Sequence, residues 1–206
     1  QVLDHARFPV ILKPYKRTEA WEASGFNKAY ILASAPELKS LYETIASVET
    51  NVIVQEYIRG GDDHIYYCLC YFGRDGECLT SFTGRKIRQW PVGTGSTAST
   101  EGIDDAFLRE ESVRILKKVH YSGLGSVEFK KDAVDGRYYM MEPTAGRTDQ
   151  QEYAATVSGV NIPLAAYCHL TGVSLQPGVP PLHPVLYIDE IAEIQSAFAH
   201  IRKGDL

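Results

Sequence analysis

The chain has 206 residues, 44% apolar and 23% charged, with a formal net charge of −5. This is ordinary globular composition, long enough for one sizeable core or two small lobes. The acidic balance argues against non-specific nucleic-acid binding, and no run of 18 apolar residues offers a membrane span.

In chain order, residues 8–13 read as a buried strand ended by Pro14. Only seven residues precede it and no signal peptide is visible, the pattern of a fragment of a longer protein. Residues 15–28 have no clean period and read as a loop. Residues 29–33 form a short strand. Ser34-Ala-Pro-Glu37 is a capping box, and the helix after it places Leu38, Leu41, Tyr42 and Ile45 on one face. Residues 51–58 are a strand closed by Gly60-Gly61. Two more strands, 64–73 and 76–83, are joined by Arg74-Asp75-Gly76. Residues 84–103, rich in Gly, Thr and Ser, read as a long mobile loop. Residues 104–119 form an amphipathic helix with Leu108, Leu116 and Val119 inward. A hairpin follows over 125–142, then a helix near 150–170, a proline-rich stretch (176–184) and a final strand and helix. Cys68, Cys70, Cys78 and Cys168 lack zinc-finger spacing and read as buried reduced thiols of a cytoplasmic protein. The order gives an α+β class: a small β/α lobe over 1–58, a larger antiparallel sheet with flanking helices over 59–175, and a C-terminal extension over 176–206.

The hairpin carries the most chemistry. Asp135-Gly136 between apolar runs is a turn signal. Pairing centred on Asp135 places Glu128 opposite Glu142 and Phe129 opposite Met141, on the other face. Directly opposed carboxylates lie roughly 4.5–5.5 Å apart at Cβ and destabilise a sheet unless a cation sits between them. Hard oxygen ligands with no Cys or His nearby suit Mg²⁺ better than zinc. The alternative is two exposed glutamates that repel weakly.

Other candidates are weaker singly. Lys13 emerges from an apolar strand, and its point charge suits a phosphate, or it snorkels at a strand end. Gln55-Glu56-Tyr57-Ile58 closes a strand and can offer alternating backbone donors and acceptors to a flat heterocycle. Arg85, Lys86 and Arg88 cluster within residues 83–91, suiting a clamp for carboxylate or phosphate, or a solvated basic loop. Arg147 lies five residues beyond Glu142, where it would stabilise charge on a transferring phosphoryl group, or pair with Asp149.

Taken in order, these motifs resemble the ATP-grasp superfamily, most closely its carboxylate–amine ligase-like branch. The matching stretches are Phe8-Pro-Val-Ile-Leu-Lys-Pro14, Gln55-Glu-Tyr-Ile-Arg-Gly-Gly-Asp-Asp63, Phe82-Thr-Gly-Arg-Lys-Ile-Arg-Gln-Trp-Pro91, Gly123-Leu-Gly-Ser-Val-Glu-Phe-Lys130 and Met141-Glu-Pro-Thr-Ala-Gly-Arg147. The resemblance covers about residues 8–172. It implies that Lys13 binds ATP phosphates, Gln55 to Ile58 contact adenine, and Asp62 or Asp63 lies near the ribose. It also implies that Glu128 and Glu142 hold Mg²⁺ and that Arg147 sits by the reacting carboxylate. The chemistry implied is phosphorylation of a small carboxylate by ATP, followed by attack of an amine. A nucleotide-binding module without turnover and an ATP-grasp kinase are the alternatives.

Four departures qualify the resemblance. Residues 15–28 hold one glycine, Gly25, where the family's loop is glycine-rich, so phosphate cover falls to side chains such as Lys28. Thr144 stands where the family's metal motif usually has Asn, and Arg147 follows one residue later than usual. Family members also carry a preceding domain with a second phosphate lysine. That domain is an implied partner, without which the chain is expected to bind ATP weakly.

Overall fold

The computed structural model describes residues 5–148, 150–175 and 185–204. The chain divides into two units, Gln1–Ile58 and Arg59–Leu206.

The first unit runs β1 (Val10–Pro14), α1 (Glu19–Ala23), β2 (Tyr30–Leu32), α2 (Ala35–Ile45) and β3 (Val52–Glu56). β1 is the central strand, antiparallel to both neighbours. Alternation along it buries Val10 and Leu12 against Trp21, Leu32, Leu38 and Ile45. Ile11 and Lys13 fall on the opposite face, with Ile11 across from Ile31 and Gln55 and Lys13 across from Ile53. The capping box of α2 is formed: Glu37 N–H donates to Ser34 Oγ at 3.5 Å, and Ala33 N–H donates to Glu37 Oε2 at 2.9 Å. Tyr42, expected on the buried face of α2, is 38% exposed. Residues 15–28 are not all loop, since they carry α1. Its Thr18 cap accepts from Trp21 N–H at 3.2 Å, and Trp21 enters the core. A helix this short leaves no period to read.

The second unit contains β4 (Ile65–Phe72), β5 (Cys78–Trp90), β6 (Ser96–Ile103), α3 (Ala106–Lys118), β7 (Gly123–Lys131), β8 (Tyr138–Ala145), α4 (Glu152–Val157), α5 (Ile162–Thr171), β9 (Leu186–Ile188) and α6 (Glu190–Lys203). Its six strands form one antiparallel sheet in the order β8-β7-β4-β5-β6-β9. β4 is buried on both faces. Cys68, Cys70 and Phe72 pack with Val127 and Phe129 against Leu108 and Leu116 of α3. Tyr67, Leu69 and Tyr71 pack with Phe82 against Ala154, Ala155, Ile162 and Ala166 of α4 and α5. All four cysteines are free; three are buried and Cys78 is half-buried.

Three sequence readings are corrected here. Residues 84–103 are not a mobile loop: β5 runs on to Trp90 and β6 starts at Ser96, leaving a short connection. Thr97, Ala98, Ser99 and Thr100 are all buried, because small β-branched and hydroxyl side chains fit a sheet covered on both faces. The single helix near 150–170 is two helices, broken at Gly159, whose φ of +91° no L side chain adopts comfortably. Val119, assigned inward, is 66% exposed beyond the end of α3. The expected C-terminal strand and helix correspond to β9 and α6, with β9 paired to β6; the proline-rich stretch itself lies outside the described residues.

One close approach inside the sheet has a measurable consequence. A Cβ at Gly84 would lie 2.3 Å from Tyr67 Cζ and Oη. Tyr67 is buried and its hydroxyl bonds Thr100 Oγ1 at 2.8 Å, so the ring has little room to yield. Gly84→Ala is expected to cost about 1–3 kcal/mol, the usual range for overpacking. Thermal unfolding should show this as a lower Tm, and an unchanged Tm would mean the ring moves freely.

Candidate functional site

The β7–β8 hairpin closes on Asp132. Its carboxylate accepts from the amides of Val134 at 2.6 Å and Asp135 at 3.2 Å, and these donors, Val134 first, hold its carboxyl below the ordinary range. Gly136 supplies the left-handed residue, at φ +70°. From this turn Phe129 pairs with Met140, not with Met141 as the sequence suggested. A bulge between Glu128 and Phe129 absorbs one residue, and beyond it Glu128 pairs with Glu142. The two carboxylates therefore stand on neighbouring strands and on one face.

Cross-strand register extends this row. Glu142 opposes Glu128, Glu128 opposes Tyr67, Tyr67 opposes Gly84, and Gly84 opposes Gly102. In this register row Tyr67 separates Glu128 from the two glycines. Burial pushes its hydroxyl far up, so it stays protonated and bonded to Thr100. Thr144 pairs with Ser126, two residues along the same face.

Lys86 lies on β5 and is only 4% exposed. Its Nζ reaches Glu128 Oε2 at 2.7 Å and Gln89 Oε1 at 3.3 Å. The other two cations of the cluster go elsewhere. Arg85 donates to Glu101 on β6 through Nε at 3.0 Å and Nη2 at 2.5 Å. Arg88 pairs with Glu193 on α6. The expected three-cation clamp is therefore not assembled, because strand alternation and a bulge between Lys86 and Arg88 send the side chains to different partners.

Asp62 and Asp63 also separate. Asp62 is buried, and its carboxylate accepts from Gln89 N–H at 2.8 Å, Gln89 Nε2 at 3.0 Å and Gly93 N–H at 2.9 Å. That carboxylate is committed to holding the β5–β6 connection, which leaves Asp63 as the exposed member of the pair, 2.9 Å from His64 Nδ1. Arg147 is exposed just beyond β8, where Gly146 N–H donates to Leu124 O at 2.8 Å and Tyr121 Oη at 2.7 Å. Asp149, its alternative partner, lies outside the described residues.

In the first unit, Lys13 and Gln55 share the face opposite the core, with Ile11, Ile31 and Ile53 beside them. Glu56 pairs with Val10 and so falls on the other face. Tyr57 N–H already donates to Pro9 O at 3.0 Å, so the 55–58 segment does not offer every amide. Lys28 is exposed in the turn before β2.

Among the described residues no group of three or more His, Cys, Asp and Glu side chains is arranged to hold a metal. Glu128 and Glu142 alone still fit Mg²⁺. That ion keeps several waters and takes one or two carboxylates, with substrate phosphates supplying the rest. The Lys86 ammonium on Glu128 marks the position as one that accepts a cation.

No family model matches the sequence. The chain is 26% identical over 163 residues to a D-aspartate ligase of Enterococcus faecium (strain Aus0004), covering 75% of this chain and 38% of that protein. It superposes on N5-carboxyaminoimidazole synthetase from Staphylococcus aureus complexed with ADP with a TM-score of 0.66, at 15% identity, over 98% of this chain and 52% of that one. The chain has the ATP-grasp fold. A second ATP-grasp structure agrees: the biotin carboxylase domain of Hydrogenobacter thermophilus 2-oxoglutarate carboxylase, in complex with MgADP, ADP and bicarbonate. Its TM-score is 0.64 at 15% identity, over 90% of this chain and 42% of that one. The chain thus spans about two-fifths of the length of the ligase it matches.

Sequence reasoning missed Tyr67, Gly84 and Gly102 as neighbours of the carboxylates in the six-stranded sheet, and Ile11, Ile31 and Ile53 as neighbours of Lys13 in the three-stranded one. The signal for the isoleucines was present: period-two alternation puts Ile11 and Lys13 on one side of β1. The signal for Tyr67 was not, because it requires the β4–β7 pairing between segments sixty residues apart.

Proposed function

We propose that this chain is the ATP-grasp part of an ATP- and Mg²⁺-dependent carboxylate–amine ligase. The observation that carries the proposal is the Glu128–Glu142 pair, opposed across β7 and β8 and already neutralised on one side by Lys86. The likeness to a D-aspartate ligase supports the same reaction class. In this reading Glu128 and Glu142 hold Mg²⁺, with Thr144 a neutral oxygen nearby. Mg²⁺ held by these residues would offset phosphate charge and lower the charge cost of phosphoryl transfer.

In the first unit, Lys13 pairs with nucleotide phosphates, aided by Lys28, and Gln55 to Ile58 contact adenine. Ile11, Ile31 and Ile53 give that face an apolar platform suited to a flat purine. Asp63, and not the committed Asp62, serves the ribose. The chemistry is a substrate carboxylate oxygen attacking the γ-phosphorus, with ADP leaving. An amine then attacks the acyl carbon and phosphate leaves. Arg147 stabilises charge on the acyl phosphate. The free cysteines support a reducing compartment, and we read the protein as cytoplasmic. Separately, no helix among the described residues is long and apolar enough to cross a membrane.

Two measurements test this. Lys13→Met is expected to weaken ATP binding about tenfold or more while leaving Tm nearly unchanged, because a half-buried lysine late in β1 contributes little to folding. Calorimetric binding equal to wild type would make Lys13 a surface residue only. The reaction class is tested by screening the intact protein for ADP release against paired acids and amines. Release that needs both supports the ligase. Nucleotide binding without turnover supports a module, and release with an acid alone a kinase.

A further inference from the structure

We propose that Lys86 is a built-in counter-ion that holds Glu128 against free divalent metal, so that metal enters this site together with a polyphosphate. The inference rests on the reading of Glu128 and Glu142 as metal ligands.

The sequence placed Lys86 on a mobile loop, but the ammonium is held by a chain of buried contacts. Asp62 accepts from Gln89 N–H and Gln89 Nε2, which fixes the Gln89 side chain. Gln89 Oε1 then accepts from Lys86 Nζ at 3.3 Å, and the same ammonium reaches Glu128 Oε2 at 2.7 Å. Asp62, Gln89 and Lys86 are each no more than 5% exposed. Lys86 is thus a positioned cation with its stem packed into the sheet.

A divalent ion and this ammonium cannot both take Glu128 Oε2, and two cations within a few ångströms repel. Free metal that takes Glu128 Oε2 displaces Lys86 and leaves a buried ammonium without an anion, and free metal on the other oxygen sits beside that ammonium and is repelled; both are costly. A metal–polyphosphate complex avoids that cost, because a phosphate oxygen gives the displaced ammonium a new partner. Metal and nucleotide then bind cooperatively, and by linkage each tightens the other by the same factor. Arg85 and Arg88 cannot substitute in this role, being engaged with Glu101 and Glu193.

The test is Mn²⁺ affinity of the protein without nucleotide, read by the loss of the free-ion electron paramagnetic resonance signal. Lys86→Met is expected to bind free Mn²⁺ at least tenfold more tightly than wild type. The factor by which ADP tightens Mn²⁺ should shrink correspondingly. Equal Mn²⁺ affinity in the two proteins overturns the inference. If Lys86→Met fails to fold, the wild-type protein still decides. Amidination of Lys86 by ethyl acetimidate, read by mass spectrometry, should rise several-fold when Mn²⁺ alone saturates the site. Saturation with no change in labelling overturns the inference. Glu142→Gln separates the two layers. Mn²⁺ binding that survives Glu142→Gln sinks the metal reading itself. Binding lost in Glu142→Gln but indifferent to Lys86→Met sinks only the counter-ion.

Discussion

Replacing Glu142 by glutamine is expected to lower divalent-metal affinity by at least about 100-fold, and with it metal-dependent nucleotide binding. Outer-shell changes at metal sites already cost about 10–100-fold, and in the proposed reading this change removes a ligand. Thermal stability should stay level or rise slightly. Glu142 is exposed on β8, an edge strand, and faces Glu128 across the pair. Like charges directly opposed destabilise a sheet, so neutralising one relieves repulsion. In the metal-free protein Glu128 keeps its Lys86 partner. The two readouts moving apart, metal affinity down and Tm level, is what distinguishes a functional carboxylate from a structural one. Metal titration and a melting curve on the same preparation check it. A large drop in Tm with unchanged metal affinity would make Glu142 structural.

Arg147→Ala is expected to lower turnover by about two to three orders of magnitude, the range for deleting one preorganised charge-stabilising donor. Nucleotide affinity should change little. The backbone just before Arg147 is pinned by the two bonds from Gly146 N–H, so the side chain projects from a fixed point and not from a loose loop. An interaction made mainly in the transition state lowers kcat and kcat/KM together when removed. Steady-state kinetics with a responsive acid and amine reads the split. If kcat holds and only KM rises, Arg147 binds substrate without stabilising the transfer. If Arg147→Ala unfolds, its role is in the fold.

The hairpin glutamates were legible because the turn residues and the alternation of β7 are local. Even the misplaced turn centre did not matter, since the bulge between Glu128 and Phe129 restored the pair that a straight count from Asp135 gives. The basic cluster was misread for the opposite reason. Composition made residues 84–103 look like a loop, but Thr97 and Thr100 are β-branched and bury well between covered faces. What Lys86 touches depends on β4 lying between β5 and β7, a pairing order that no local pattern encodes. Asp62 was similarly opaque: its role as the anchor of Gln89 depends on a contact twenty-seven residues away.

If this site activates a carboxylate as an acyl phosphate, one oxygen atom passes from the acid to the released phosphate. Tracing that oxygen tests the proposal most directly. Once the screen has identified an acid and an amine, the acid carboxylate is labelled with oxygen-18 and turned over by the intact protein with ATP and Mg²⁺. Mass spectrometry or phosphorus NMR of the products should find one labelled oxygen in each inorganic phosphate released. Phosphate that carries no label from the acid would mean that no acyl phosphate forms.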